Sequence, residues 1–390
     1  YVVVKIPRFA FEKFPGADPV LGTSMKAVGE VAAMGRSFEE ALLKAVRSLE
    51  VDRDSLEAPR EVAAADDAEL EGRLAEPTPD RLWELAEAVR RGWSDERIFS
   101  ATSVDPWFLR RIAGLVAAEH VAVKALDQPD FLVALKKLGF SDNQLGRLAK
   151  SEPGAVRERR IEAGARRIRR RVDTCAAEFE ARTPYLYGSF GDADEQPTPR
   201  RPVIILGGGP VRIGQGIEFD ACCVEAVAGL RAEGYEAVMV NCNPETVSTD
   251  YDAVDRLHFD PLHSEDVLEI CDAERPIAVA GVMGGMTSGV SERTKNIVVE
   301  SAYFAPSRIR KTSKRMRLSS ESSYRFERGI DPNMASQVLE SARAMTVQSA
   351  GGIPSADVLD IYPQPIEQRR VLLRPKRFFH IMGFDVPVSE

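Results

Sequence analysis

Residues 203–250 read VIILGGGPVRIGQGIEFDACCVEAVAGLRAEGYEAVMVNCNPETVSTD, and this stretch decides the fold. A short apolar run, Val203–Leu206, breaks at once into Gly207-Gly208-Gly209-Pro210. Gly214 and Gly216 follow, then a helix-like segment from about Cys222 to Glu233. Gly234 ends that helix, and a second strand is expected over Ala237–Val240. Strand, glycine turn, helix and strand make a βαβ unit, whose two strands run parallel through a right-handed crossover. The glycines let backbone amides approach a ligand or a neighbouring segment closely. The spacing is not a clean GxGxxG, and no lysine stands where a P-loop needs one. Arg212, Gln215, Gly216 and Glu218 follow the turn, and Asn241, Asn243, Glu245 and Thr246 follow the next strand. Polar groups at the carboxyl ends of adjacent parallel strands converge on one crevice, which makes these the candidate binding residues. The alternative is that they cap helices and satisfy loop backbone.

The rest of the chain sets bounds on this unit. At 390 residues there is room for two to four domains with buried cores. A hydrophobic content of 44% and a charged content of 29% are those of a soluble globular protein. The net charge of −8 argues against a general nucleic-acid binder. Cys175, Cys222, Cys223, Cys242 and Cys271 are odd in number and lack CxxC spacing, and only four histidines accompany them. Neither a disulfide framework nor a zinc site is expected. No apolar run approaches the length of a membrane span and no signal peptide is evident, so a cytoplasmic location is expected. The chain opens at Tyr1 inside an apparent strand, as a fragment of a longer product would.

Before the central unit, Tyr1–Ile6 and Met25–Met34 are strand-like. Ser37 with Glu40 three residues on makes a capping box for a helix over Ser37–Leu49. From about Asp52 to Asp173 the apolar period is helical, as in Arg81–Arg91, where Leu82, Leu85, Ala86 and Val89 share one face, and in Phe131–Leu138. Thr78-Pro79-Asp80 and Ser141-Asp142 mark helix starts. Arg157–Arg171 carries eight arginines, expected to form a solvated face neutralised by Glu158 and Glu162. Gly188–Arg201 reads as a linker, and a helix is expected from about Ser264.

LGGGPVRIGQGIEFDACCVEA followed by VNCNPETVSTDYD resembles the large subunit of carbamoyl phosphate synthase, in the α/β domain that precedes its second ATP-grasp domain. Ala221 departs from that family, which has an aromatic residue there. KIPRFAFEKFPGAD and MKAVGEVAAMGRSFEEALLKAVRSLE resemble the carboxyl end of the first ATP-grasp domain of the same subunit. Lys26 and Glu30 then face a phosphate site or are solvated remnants of its wall. PDRLWELAEAVRRGWS and VDPWFLRRIAGLV resemble the helical oligomerisation domain, and RVDTCAAEFEARTPYLY leads out of it. The resemblance implies ATP and Mg as cofactors of the parent enzyme, a glutaminase small subunit and self-association as partners, and a place in arginine and pyrimidine biosynthesis. The nucleotide and metal ligands of the first ATP-grasp domain would lie upstream of this stretch. The chain alone is therefore expected to be inactive.

From Ile277, IAVAGVMGGMTSGVSERTKNIVVESAYFAPSRIRKTSKRMRLSSESSYRFERGIDP resembles the β subunit of bacterial phenylalanyl-tRNA synthetase, in the module that hydrolyses mischarged tyrosyl-tRNA. This implies an editing pocket of Gly284, Glu300 and the Ser319–Ser322 loop, with Ser320 and Ser322 lining it and Glu300 meeting the tyrosine hydroxyl. Transfer RNA and the synthetase α subunit are the implied partners. The alternative makes Glu300 a surface carboxylate and Ser319–Ser323 a helix N-cap cluster. Arg325-Phe326-Glu327-Arg328-Gly329 is expected to be ion pairing and a turn.

The expected architecture is mixed α and α/β in several domains. These are an ATP-grasp remnant over 1–50, an all-helical oligomerisation domain over 51–190 and a Rossmann-like parallel α/β unit over 201–276. An α+β editing-like module over 277–363 and the truncated start of a further domain over 364–390 complete it. Two families then meet in one chain, a chimera whose seam lies between Pro276 and about Thr287. There both patterns share a strand and a Gly-Gly.

Overall fold

The computed structural model describes residues 1–14, 16–125, 128–191, 202–213, 218–274, 278–279, 283–284, 297, 299–316, 320–354, 358, 360, 362 and 366. The chain opens with β1 (Val2–Arg8) and β2 (Gly29–Gly35), an antiparallel pair in which Val4 faces Ala33. Helix α1 (Phe38–Ser48) packs on both strands and buries Ala41, Leu42, Ala45 and Val46. It starts as expected, for Ser37 Oγ accepts the Glu40 amide at 3.2 Å. The Glu40 carboxylate does not close the box on Ser37 but accepts the Arg36 amide at 2.7 Å.

A layer of helices follows: α2 (Arg60–Ala64), α3 (Asp67–Ala75), α4 (Arg81–Arg90), α5 (Asp95–Thr102), α6 (Pro106–Ala125), α7 (Pro129–Lys137), α8 (Asp142–Ala149) and α9 (Pro153–Glu162). Asp66, Ser94 and Ser141 each cap the helix they precede by accepting an amide three residues on, which removes one orphan donor from each terminus. The apolar faces meet in one core of Leu70, Leu74, Trp83, Ile98, Leu109, Leu115, Leu132, Leu135 and Leu145, which is continuous with Val31, Leu43 and Val46 of the opening elements. Leu85 and Ala86 are buried in that core, and Leu82 and Val89 pack partly buried against it.

Strands β3 (Arg167–Arg171) and β4 (Tyr185–Phe190) pair antiparallel, and β5 (Pro202–Leu206), helix α10 (Glu218–Ala232) and β6 (Glu236–Asn241) form the βαβ unit. Then come β7 (Arg256–Phe259), helix α11 (Ser264–Glu274), and the two-residue strands β8 (Ala278–Val279) and β9 (Met283–Gly284). All seven strands form one sheet in the order β3-β4-β7-β6-β5-β8-β9, with β4, β7, β6, β5 and β8 parallel. The helical period expected up to Asp173 is thus corrected. Arg167–Arg171 and the start of the supposed linker at Gly188 are strand, because β3 and β4 find backbone partners in the α/β sheet.

Side-chain alternation sets the layers. Ala237 and Met239 of β6 pack with Cys223 and Val227 of α10, whereas Val238 and Val240 pack with Ile270 of α11. With a period of two along a strand, the two helices cover opposite faces. The fold is therefore mixed helix and α/β with a largely parallel sheet.

Past β9 the described elements are helical: α12 (Pro306–Met316), α13 (Glu321–Phe326) and α14 (Ala335–Ala350). Helix α12 packs on α11, and Phe304 meets Phe326 edge-on at 4.9 Å. Strands β8 and β9 lie within the stretch expected to form an editing-like module, yet β8 pairs parallel with β5 at Ile204. The remaining seam residues around them lie outside the described residues. Among the described residues no helix is long and apolar enough to cross a membrane.

Candidate functional site

The carboxyl ends of β5 and β6 carry the two loops that the sequence points to. Gly207 continues the ladder by donating to the Val240 carbonyl at 2.9 Å, and the chain then turns away. Asn241, fully buried at the end of β6, stands against that turn. A methyl at Gly207 would come within 2.5 Å of Asn241 Nδ2, so the position admits glycine alone without a shift. A Cβ on Gly29 of β2 would lie 2.7 Å from the Val211 carbonyl, which shows how closely the opening hairpin docks on the glycine loop.

Asp220, in the first turn of α10, is the centre of the polar floor. Its Oδ1 accepts the Gly208 amide at 2.8 Å and its Oδ2 accepts Thr246 Oγ1 at 2.8 Å. Asn241 Oδ1 accepts amides from Gly209 at 3.2 Å and Cys242 at 2.9 Å, and its Nδ2 donates to Ser248 Oγ at 2.9 Å. Asn243 Oδ1 accepts the Glu245 amide at 2.9 Å. Asn243 is 1% exposed, and its Nδ2 has no acceptor among the described residues. Most of these side chains therefore satisfy loop backbone, the alternative weighed from sequence. Asn243 keeps its side-chain NH2 to spend on a ligand or water.

On the rim Arg212 pairs with Glu50, which follows α1 at φ 54°. Glu245 is exposed and lies 3.7 Å from Lys5, which also pairs with Glu30. Lys26 is tied to Asp18 Oδ2 at 3.1 Å and to the Val20 carbonyl. Glu218 opens α10, while Gln215 and Gly216 lie outside the described residues. The sequence reading passed over Asp220, Ser248 and Glu50. The signal for Asp220 was its place one turn into a helix after a glycine loop, where a carboxylate meets free amides.

A second polar constellation differs from the sequence expectation. The arginines of 157–171 are not one solvated face neutralised by Glu158 and Glu162: Arg159 and Arg166 are exposed, whereas Arg160, Arg167 and Arg169 turn inward. Arg160 is fully buried, bonding Asp142 at 2.9 Å and also Glu269. Arg167 pairs with Asp260 and Asp266, and Arg169 lies 3.5 Å from Glu274. Lys44 of α1 reaches Asp260 at 3.0 Å, Arg47 reaches Asp266 at 3.3 Å, and Lys136 of α7 reaches Asp142 at 2.9 Å and Glu265 at 2.7 Å. The physical reason is tertiary. The carboxylates that neutralise these cations arrive from α8, β7 and α11, and no local spacing announces them. This ionic seam joins the helical layer to the sheet.

Inside it, burial pushes the Asp260 carboxyl up, but Arg167, Lys44 and His258 outweigh that and hold it well below the usual range. Burial is likewise overcome at Asp266 by Arg47 and Arg167, at Asp142 by Lys136 and Arg160, and at Glu274 by His258 and Arg256. His258 Nε2 lies 2.9 Å from Glu274 Oε1.

These acids are committed to cations, so they do not fit a Mg site. Among the described residues no group of three or more His, Cys, Asp or Glu side chains is placed to hold a metal.

The residues assigned to an editing pocket are spread over three elements. Gly284 ends β9, and Glu300 is exposed outside any helix or strand. Ser320 caps α13 in a capping box with Ser323, and Ser322 is exposed on that helix. Ser319 lies outside the described residues. Arg328 pairs with Glu327 at 2.8 Å beside Gly329.

Three family profiles match parts of the chain. Residues 30–164 match the carbamoyl-phosphate synthetase large chain oligomerisation domain and 199–296 match the carbamoyl phosphate synthase preATP-grasp domain. Residues 249–351 match the B3/4 domain, so two profiles overlap at 249–296. Carbamoyl phosphate synthase large chains of Ralstonia nicotianae and Myxococcus xanthus are each 52% identical over 294 residues. That of Archaeoglobus fulgidus is 48% identical over 296 residues. Each alignment covers 74% of this chain and 27% of the relative, so the chain spans about a quarter of the length of these relatives. Three quarters of the chain is thus similar to a segment of carbamoyl phosphate synthase large chains, and a stretch nearer its end to the B3/4 domain.

Proposed function

We propose that this chain is the central junction of a carbamoyl phosphate synthase large chain, where it ties the two synthetase halves together and carries a surface for self-association. The parent chemistry is ATP-dependent synthesis of carbamoyl phosphate from bicarbonate and glutamine-derived ammonia, with a glutaminase small subunit as partner. In that setting the crevice around Arg212, Gln215, Gly216, Glu218, Asn243, Glu245 and Thr246 walls the ammonia or carbamate path. The observation that carries the self-association reading is an aromatic cluster on the helical layer. Trp107 and Phe108 of α6 stack edge-on at 5.0 Å, and each also meets Phe38, yet they are 40% and 44% exposed. Large aromatics left half in water are the residues that anchor protein interfaces. Sedimentation equilibrium on the full chain should show a mass above 43.0 kDa that rises with concentration and returns to the monomer in Trp107→Ser/Phe108→Ser. A wild-type chain that stays monomeric throughout rejects the reading. A bicarbonate-stimulated ATPase assay should find no turnover by the chain alone.

The B3/4 similarity favours a second reading, in which residues 277–363 derive from an editing hydrolase of tyrosyl-tRNA. Release of tyrosine that disappears in Glu300→Ala would establish it. An unchanged rate in that variant would remove Glu300 from the pocket.

A further inference from the structure

On the far side of the sheet from β5, a cavity of about 740 Å³ opens between α1, α7, β3 and the end of β4. It is lined by Arg36, Ser37, Lys137, Arg170, Phe190 and Gly191, with Ala134 and Leu138 on the wall. Its size lies within the usual range for small-molecule sites, about 300–1,000 Å³. Three cations surround it. Arg36 and Lys137 are exposed and Arg170 is half-buried. None of these three makes an ion pair among the described residues, unlike Arg160, Arg167 and Arg169 nearby. The Arg36 backbone amide bonds Glu40, whose carboxylate also takes Ser189 Oγ at 3.1 Å. Arg170 Nε is buried without an acceptor among the described residues.

Two further features point the same way. Phe190 and Gly191 lie at the carboxyl end of β4, which runs parallel to β7, and ligands of parallel sheets bind past the carboxyl ends of the strands. Phe190, Leu138 and Ala134 add an apolar wall beside the charges. We propose that this cavity binds an organic phosphate monoester with a planar ring, its phosphate held by Arg36, Lys137 and Arg170 and its ring laid against Phe190. Arginine forks match phosphate oxygens two at a time, and a ring beside an apolar wall adds contact area that inorganic phosphate lacks. The site is separate from the crevice at Asn241 and Asn243 and does not depend on the chemistry proposed there.

The test is isothermal titration of the full chain with phenyl phosphate and, separately, with inorganic phosphate. Phenyl phosphate should bind with a Kd on the order of 0.1 mM, tighter than inorganic phosphate. Arg170→Gln and Lys137→Gln should each weaken both anions about tenfold. Lys137 is exposed, so its variant folds even if the Arg170 variant does not. Phe190→Ala should bring phenyl phosphate to the level of inorganic phosphate and leave the latter unchanged. The proposal is overturned if neither anion binds the wild-type chain, or if Lys137→Gln binds both as the wild type does.

Discussion

Lys136 of α7 donates to Glu265 of α11 across 2.7 Å, although 129 positions separate them in sequence. The same ammonium bonds Asp142 at 2.9 Å, and Asp142 in turn accepts Arg160. The helical layer and the sheet are joined by charges withdrawn from water, not by apolar packing alone. Such pairs add little net stability over an apolar substitute, but breaking one partner strands the other.

Arg160→Ala leaves Asp142 and Glu269 facing each other's surroundings without their shared guanidinium. We expect a loss of about 3–5 kcal/mol in urea unfolding. Arg160→Lys keeps the charge but cannot fork between two carboxylates, and its loss should fall between wild type and alanine. A change below about 0.5 kcal/mol for the alanine variant would show that the seam is not closed in solution.

The seam also fixes the pH response. Asp142, Asp260, Asp266 and Glu274 all titrate lower in the folded chain than their ordinary 3.8 or 4.5. A depressed carboxyl contributes stability above its unfolded value, and that contribution is lost as pH falls through the folded one. The urea midpoint should therefore hold steady between about pH 7 and pH 5 and drop steeply below about pH 4. A decline that is complete by about pH 5 contradicts this assignment.

At the crevice, Gly207→Ala drives a methyl into Asn241, which Ser248 and Asp220 hold in place. Overpacking of this kind costs about 1–3 kcal/mol. Shortening the neighbour in Gly207→Ala/Asn241→Ala removes the contacts with Nδ2 and Cγ and leaves that with Cβ at 2.9 Å, so the double variant should lose less than the sum of the single losses. Strict additivity would mean that the two side chains do not touch.

Thiol labelling separates the adjacent cysteines on α10. Burial, with Asp220 beside it, pushes Cys223 up to about 11, and burial with Asp272 pushes Cys271 up to about 12. Near neutral pH both should resist a thiolate-selective reagent, while exposed Cys222 reacts first. Mass spectrometry of the partly labelled chain identifies the sites. Early label on Cys223 would mean that α10 stands off the sheet.

Several elements were legible in the amino-acid sequence, though β3 and the end of β4 were not. Val203–Leu206 and Ala237–Val240 are strands because β-branched and apolar residues run unbroken between glycine turns; α11 starts at Ser264 as expected, whereas α10 starts at Glu218, four residues before the expected Cys222. Ser141 and Ser37 cap because a hydroxyl before a helix meets an open amide whatever surrounds it. These are short-range effects, and short-range sequence carries them. The sequence also placed Arg212, Asn243 and Thr246 near one crevice, since the ends of neighbouring parallel strands must converge. Only the tertiary structure decided what those groups do. Asn241 and Thr246 are spent on Asp220, Ser248 and loop amides, and Arg212 on Glu50. It also turned Arg160, Arg167 and Arg169 of the 157–171 run from a solvated face into a buried seam, because Asp260, Asp266, Glu269 and Glu274 come from a part of the chain about a hundred residues away. A charge is assigned to water or to a partner by what packs over it, and no local pattern encodes that.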